Sequence, residues 1–380
     1  MAIYRIFPEK DATLYSRYEA TNTGLDEILE ISSFYLGSSS FVNRSVIQFS
    51  NSEVEDVIET KIAPTVIGSN QMQFSASIKL YLAEGEEVPT GYVIEAAPLY
   101  DPWDTGTGKY GDSPINTSGV SWYYTKPGTR WTDPAPINTT SSFSSGSMAI
   151  GGVWYTGSNG INLLHYQSHS VVSTHDLDID VTPSIKLHYS QSQGISGGLA
   201  NNGFILKLNN SNEFQTGSLT FLKYFSSNTH TIYPPFLEFK WDDFTTSSLV
   251  ATRAVTDPTC VVGIKNAKDR YTDEGKYRFR LNVRPKYPTR TFATSSDYLT
   301  QYYLPTASYW GLKDENTEEM VVDFDSIYTK ISSDNSSNYF DVYMNGLQPE
   351  RYYRLLIKTT IDGSTSVLDN GVTFKVVRNG

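Results

Sequence analysis

Apolar and polar positions along this chain alternate with a period of two, over stretches of three to nine residues. Ser75–Ala83, SASIKLYLA, shows it best: Ile78, Leu80 and Leu82 fall on one face, and Lys79 and Tyr81 on the other. Such alternation predicts a half-buried strand. The same reading places strands at Tyr4–Phe7, Thr13–Tyr15, Ile28–Leu36, Val46–Phe49 and Val93–Tyr100. After a loop-rich region over 101–160 they resume at Leu177–Val181, Phe204–Leu208, Leu219–Phe225 and Phe236–Trp241. A later set follows at Tyr277–Val283, Glu319–Phe324, Tyr339–Met344, Tyr352–Thr359 and Val372–Val377. Asp362-Gly363 separates the last two as a hairpin-type turn. No stretch reads as a long amphipathic helix, so the expected class is all-β, with helix confined to short turns.

A chain of 380 residues is too long for one ordinary β-sandwich. A change of character after EFKWDD, near Asp242–Ser248, divides it into 1–245 and 246–380. The short alternating strands of the second part are spaced as in an immunoglobulin-like sandwich. Composition then narrows the role. There are 27 Tyr, 18 Phe and 6 Trp, with a formal net charge of −11. That charge disfavours a phosphate-binding face, so no nucleic-acid partner is expected. No apolar run has the length that crosses a bilayer, and no membrane partner is expected. The opening MAIYRIFPEKDATLYS lacks the basic and apolar regions of a secretion signal. A lone cysteine, Cys260, suits folding in a reducing cytoplasm. An extracellular-looking fold made in a cytoplasm is what a virion protein requires.

Few residues point to chemistry. His165, His169, His175 and His188 cluster in sequence beside Asp176, Asp178 and Asp180. Their spacing matches no metal-ligand signature, and Leu177, Ile179 and Val181 explain the run as a strand with its acids outward. Asp101, Asp104 and Asp112 are the carboxylates a structural calcium ion would use; otherwise no cofactor is expected. Glu86-Glu87 and Asp242-Asp243 sit at turn-like positions and read as solvated acids rather than a glycosidase pair. Gly106-Thr107-Gly108-Lys109 is only a fragment of a phosphate-binding loop. Trp103, Tyr110, Trp122, Tyr123, Tyr124, Trp131, Trp154 and Tyr155 stand in a background of Gly, Pro and Ser. Such aromatics form a small core under a long loop, anchor a protein interface, or stack on sugars. Ser141–Ser147 (SSFSSGS) reads as a biased loop open to proteases.

Several elements occur in an order that resembles the DNRLRE-type β-sandwich domain. They are Asp11-Ala12-Thr13-Leu14, Arg44–Phe49, Ser75–Tyr81, Asp101–Gly108 (DPWDTGTG), Gly119–Trp122, Asp178–Pro183 and Pro234–Glu238. Leu219–Asp243 also resembles the closing segment of virion structural proteins from large contractile-tailed phages of marine bacteria. The resemblance implies a jelly-roll-like sandwich over 1–245 used for attachment or display, without catalysis. The expected role is a non-enzymatic bacteriophage structural protein of the tail, baseplate or capsid surface. It would dock to other virion proteins, and to copies of itself in a symmetric array, through strand edges and Trp103, Trp122, Tyr124, Trp131 and Trp154. Arg44, at the family's arginine position, is expected to be structural. The alternative is a carbohydrate-binding module that recognises a host surface glycan.

Overall fold

The computed structural model describes all residues except 1, 38, 65–72, 133–138, 141–149, 171, 214–219, 288–299 and 379–380. The Ser141–Ser147 loop therefore lies outside the described residues. The chain is all-β, and its contacts divide it into two compact units. One comprises Ile6–Lys61 and Ser75–Glu238; the other comprises Met1–Arg5, Ile62–Phe74 and Phe239–Gly380.

The first strands are β1 (Ala2–Ile6), β2 (Pro8–Tyr15), β3 (Ile28–Leu36), β4 (Ser39–Phe49), β5 (Phe74–Leu80), β6 (Leu82–Glu86) and β7 (Gly91–Pro98). They are followed by β8 (His165–Ser170), β9 (Leu177–Asp180), β10 (Phe204–Leu208), β11 (Thr220–Phe225) and β12 (Phe236–Trp241). Among the described residues, an eight-stranded sheet runs β8-β7-β10-β4-β3-β11-β6, with β2 also paired to β4. β5 and β9 pair antiparallel, with Leu80 opposite Leu177 and Ile78 opposite Ile179. β5 buries Phe74, Ala76, Ile78 and Leu80 and half-exposes the residues between, as its alternation predicts. β10 lies between β4 and β7, and all five of its residues are buried. A strand covered on both faces is normally an unbroken apolar run; Lys207 interrupts this one.

The helix α1 (Asn51–Asp56) runs into a π-helical segment, Val57–Ile62. The longer α2 (Thr182–Ser192) is a difference from the expectation of short turns only. Pro183 fits its first turn, where no backbone N–H is needed. Its buried positions are Ser184, Ile185 and His188. Two of these three are polar, so the helix shows no apolar stripe in the sequence.

The second unit adds β13 (Val261–Ile264), β14 (Arg270–Thr272), β15 (Lys276–Arg284), β16 (Ser308–Asp314), β17 (Met320–Val322), β18 (Ser332–Ser333), β19 (Asn338–Tyr343), β20 (Tyr352–Ile361) and β21 (Ser364–Val377). They form one sheet in the order β13-β15-β19-β18 and another in the order β14-β21-β20-β16-β17. The core contains Phe279, Trp310, Phe340, Leu355 and Phe374, with the Trp310 and Phe340 rings stacked at 5.2 Å. β16 escapes the sequence pattern partly because Gly311 sits at its centre. A Cβ there would come within 2.9 Å of Met320 and of the Phe324 ring. Residues 242–248, linker-like in composition, are held in this unit. Ser333 N–H donates to the Thr245 carbonyl (2.9 Å), and Ser247 N–H donates to Ser333 Oγ (2.9 Å).

Candidate functional site

The tryptophans of the loop region go inward. Trp103, Trp122, Trp131 and Trp154 are each 1–2% exposed and pack with Leu14, Val46, Leu99 and Ile205 in one apolar cluster. Trp103 Nε1 donates to the Asn202 carbonyl (2.8 Å) and Trp131 Nε1 to the Ser121 carbonyl (3.1 Å). Burying an indole while bonding its N–H removes a large apolar area from water at little polar cost. The expected partner-facing tryptophan surface is therefore corrected to a core under the loop. Tyr124 differs: it is half-buried, near the Arg130 guanidinium (5.9 Å to its ring).

Arg44 lies at the centre of the eight-stranded sheet and is fully buried. Its Nε and Nη2 donate to the two carboxylate oxygens of Glu213 at 2.9 and 3.0 Å, a bidentate pair with no solvent on either side. Nη1 donates to the Gly151 carbonyl at 2.8 Å. The guanidinium carbon stands 5.0 Å from the Trp122 ring centre and 5.1 Å from that of Trp154. Gly151 has φ +79, and a Cβ there would strike the Trp122 ring at 2.5 Å. Next to the pair, Lys207 Nζ meets Glu95 (3.0 Å), the Leu208 carbonyl (2.8 Å) and Asn210 Oδ1 (3.1 Å). All three ammonium protons are thereby satisfied, while burial lowers the lysine's pKa. This is a charge-balanced structural cluster that leaves no nucleophile free.

The histidines are also absorbed by the fold. His165 Nε2 is 2.7 Å from Ser184 Oγ, and His188 Nδ1 is 3.1 Å from the Leu199 carbonyl. Burial pushes both imidazoles down to about 4. His169 stacks on Tyr92 at 4.6 Å, and Tyr92 in turn bonds His175 Nδ1 at 2.7 Å. The calcium candidates are used separately. Asp101 accepts from Thr132 N–H and Oγ1, Asp112 accepts from Lys109 N–H, and Asp104 lies near Lys10. Among the described residues, no three His, Cys, Asp or Glu side chains converge on a point that would hold a metal ion.

The sequence reading missed an open groove of about 650 Å³, walled by Tyr15 and Tyr110. The two rings lie 4.8 Å apart, and the exposed Tyr18 meets Tyr110 edge-on at 5.7 Å. Asp26, Glu27, Glu30 and Glu84 line it against one ammonium, Lys223. Several of these groups are held in place. Both Asp26 oxygens accept the Tyr110 N–H at 3.1 Å, and burial raises the Asp26 pKa. Glu30 accepts from Ser32 Oγ (2.8 Å), Asn43 Nδ2 (2.7 Å) and the Tyr15 hydroxyl (3.3 Å). Lys223 pairs with Glu84 at 2.6 Å. The groove joins β2, the start of β3, β6, β11 and the loop at Tyr110. Its residues are scattered from 15 to 223, and no local motif announces them.

No family model matches this chain, and no curated protein matches it. Among solved structures, a DUF4785 family protein from Legionella pneumophila is similar at 8% identity, over 100% of this chain and 68% of that one, with a TM-score of 0.16. A likeness this low carries no argument about fold or role.

Proposed function

We propose that this chain is a non-enzymatic structural protein of a tailed-phage virion, made in the host cytoplasm and assembled with other virion proteins and with copies of itself. The observation that carries this reading is where its reactive side chains sit. Arg44, Lys207, Glu213, His165 and His188 are buried and bonded within the fold, and Asp26, Glu30 and Lys223 in the open groove are each tied to a neighbouring group. Catalysis needs a nucleophile or base within reach of a substrate, whereas a scaffold needs rigid sheets. The resemblance of the order of sequence elements to that of DNRLRE-type sandwich domains supports the same reading. The glycan-binding alternative loses its tryptophan platform, since those indoles are core. It would have to rest on the tyrosines of the groove. The test is mass spectrometry of purified particles from a phage that encodes the chain, followed by a density map of the particle. The chain is expected at a fixed ratio to the major structural proteins. Its absence from washed particles would overturn the proposal.

A further inference from the structure

We propose that the tyrosine-walled groove is a docking site for a second copy of this chain, and that the element it receives is the basic end of β15. The proposal rests on the self-association in the reading above and names the two surfaces involved.

The groove is selective for positive charge. Four carboxylates face one ammonium, and that ammonium is already paired with Glu84. His230 Nε2 lies 3.8 Å from Glu27, and Lys109 and Arg17 stand near Asp26 and Tyr110. Tyrosine faces beside carboxylates suit a guanidinium or ammonium group, which gains from the ring and the charge together. The volume, about 650 Å³, is in the range that takes more than one long side chain.

The chain carries a matching surface of its own. The outward positions of β15 read Lys276, Arg278, Arg280, Asn282 and Arg284, and Lys286 and Tyr287 continue it. Asp341 answers Lys276 and Arg278, at 3.1 and 2.8 Å, and Asp334 answers Arg280 at 2.8 Å. Arg278 already packs 4.0 Å over the Tyr339 ring. Past these pairs, Arg284 and Lys286 are exposed and form no ion pair among the described residues, and Tyr287 is 76% exposed. In a protein of net charge −11, this basic end is a feature of opposite sign to the groove. Groove and strand end are different patches, so two copies can engage reciprocally in a two-fold dimer, or each copy can bind the next in a ring or fibre.

Sedimentation of the full chain tests this with two charge-reversed variants, Glu27→Lys/Glu84→Lys and Arg284→Glu/Lys286→Glu. All four sites are at the surface, and circular dichroism confirms that each variant is folded. The wild type is expected to self-associate at low salt and to dissociate at roughly 0.5 M salt, where charges are screened within a few ångströms. Each variant alone is expected to weaken association at least about tenfold. An equal mixture of the two should assemble again, because each groove then meets a strand end of opposite sign. A wild type that stays monomeric at low salt overturns the proposal, as do variants that assemble alone. Chitin-type oligosaccharides that bind a monomeric wild type would overturn it in favour of a sugar site. Presence of the chain in particles is a separate measurement, so either proposal can fail without the other.

Discussion

Arg44 is the residue whose environment says most about how this fold is held. A guanidinium fully out of water is tolerated only when its donors are matched, and here Glu213 and the Gly151 carbonyl take them. Removing one partner leaves the other charge buried and alone. Arg44→Ala is therefore expected to lower the unfolding free energy of the full chain by about 3–5 kcal/mol, read by denaturant titration at neutral pH. A loss below about 1 kcal/mol would mean the pair is solvated in solution. An arginine in a strand pattern was visible in the sequence; its partner, 169 positions away, was not. Gly106 and Gly108 repeat the lesson. They resemble a phosphate loop on paper, but in the fold they give room to the buried Asn22. A Cβ on Gly106, at φ +76, would lie 2.3 Å from Asn22 Oδ1. Asn22 in turn bonds the Thr105 and Val120 carbonyls and the Gly108 N–H.

At the scale of elements, β8 and α2 hold an acid-sensitive joint. His165 on β8 bonds Ser184 on α2, and His188 lies one turn further along the same helix. Both imidazoles are neutral when folded, with pKa values lowered to about 4 by burial. Asp180 opposes the shift at His165, and His165 disfavours protonation of His188. An unfolded histidine takes its proton near pH 6.5. The unfolded chain thus binds more protons below that pH, and stability falls from about 6.5 down to about 4. Each group is expected to contribute a loss of up to about 3 kcal/mol across that window. Asp11 works the other way: burial lifts it to about 6, so its protonation returns part of the loss below that pH. His188→Gln is expected to flatten the stability profile between pH 6.5 and 4, and an unchanged slope would remove His188 from the account. The hairpin of β20 and β21 shows the opposite case at its turn, which was legible in advance, although the return strand starts at Ser364 rather than at the expected Val372. Asp362 and Gly363 have φ +47 and +76, and Ile361 and Ser364 pair across the turn, as Asp-Gly in a tight hairpin demands.

For the whole molecule, the two units differ in how they answer to acid. In the unit of residues 239–380, burial alone would raise Asp314, but Arg351 at 2.6 and 2.8 Å and the Thr317 and Asn316 N–H groups bring it down to about 2. Asp334 is held at about 2 chiefly by Arg280. These carboxylates stabilise the fold above the ordinary aspartate pKa, and the contribution is lost as pH falls through 3.8 to about 2. Hydrogen exchange read by mass spectrometry is expected to show β8, α2 and β10 losing protection between pH 6.5 and 4. Peptides of β16, β19 and β20 should hold until below about pH 3.8. The reverse order would contradict both assignments. The sequence by itself determined the all-β class, most strands and several turns, because strand periodicity and turn chemistry are local and act over a few residues. It left open which aromatics face inward, since Trp103 in a turn of Asp and Pro reads the same whether it lids a core or meets a partner. Tertiary structure decided that, along with the Arg44–Glu213 pair, the helix α2 with its polar buried face, and the groove between Tyr15 and Tyr110. Each depends on residues brought together from distant parts of the chain, and burial and charge pairing act on distance in space, where position along the chain carries no signal.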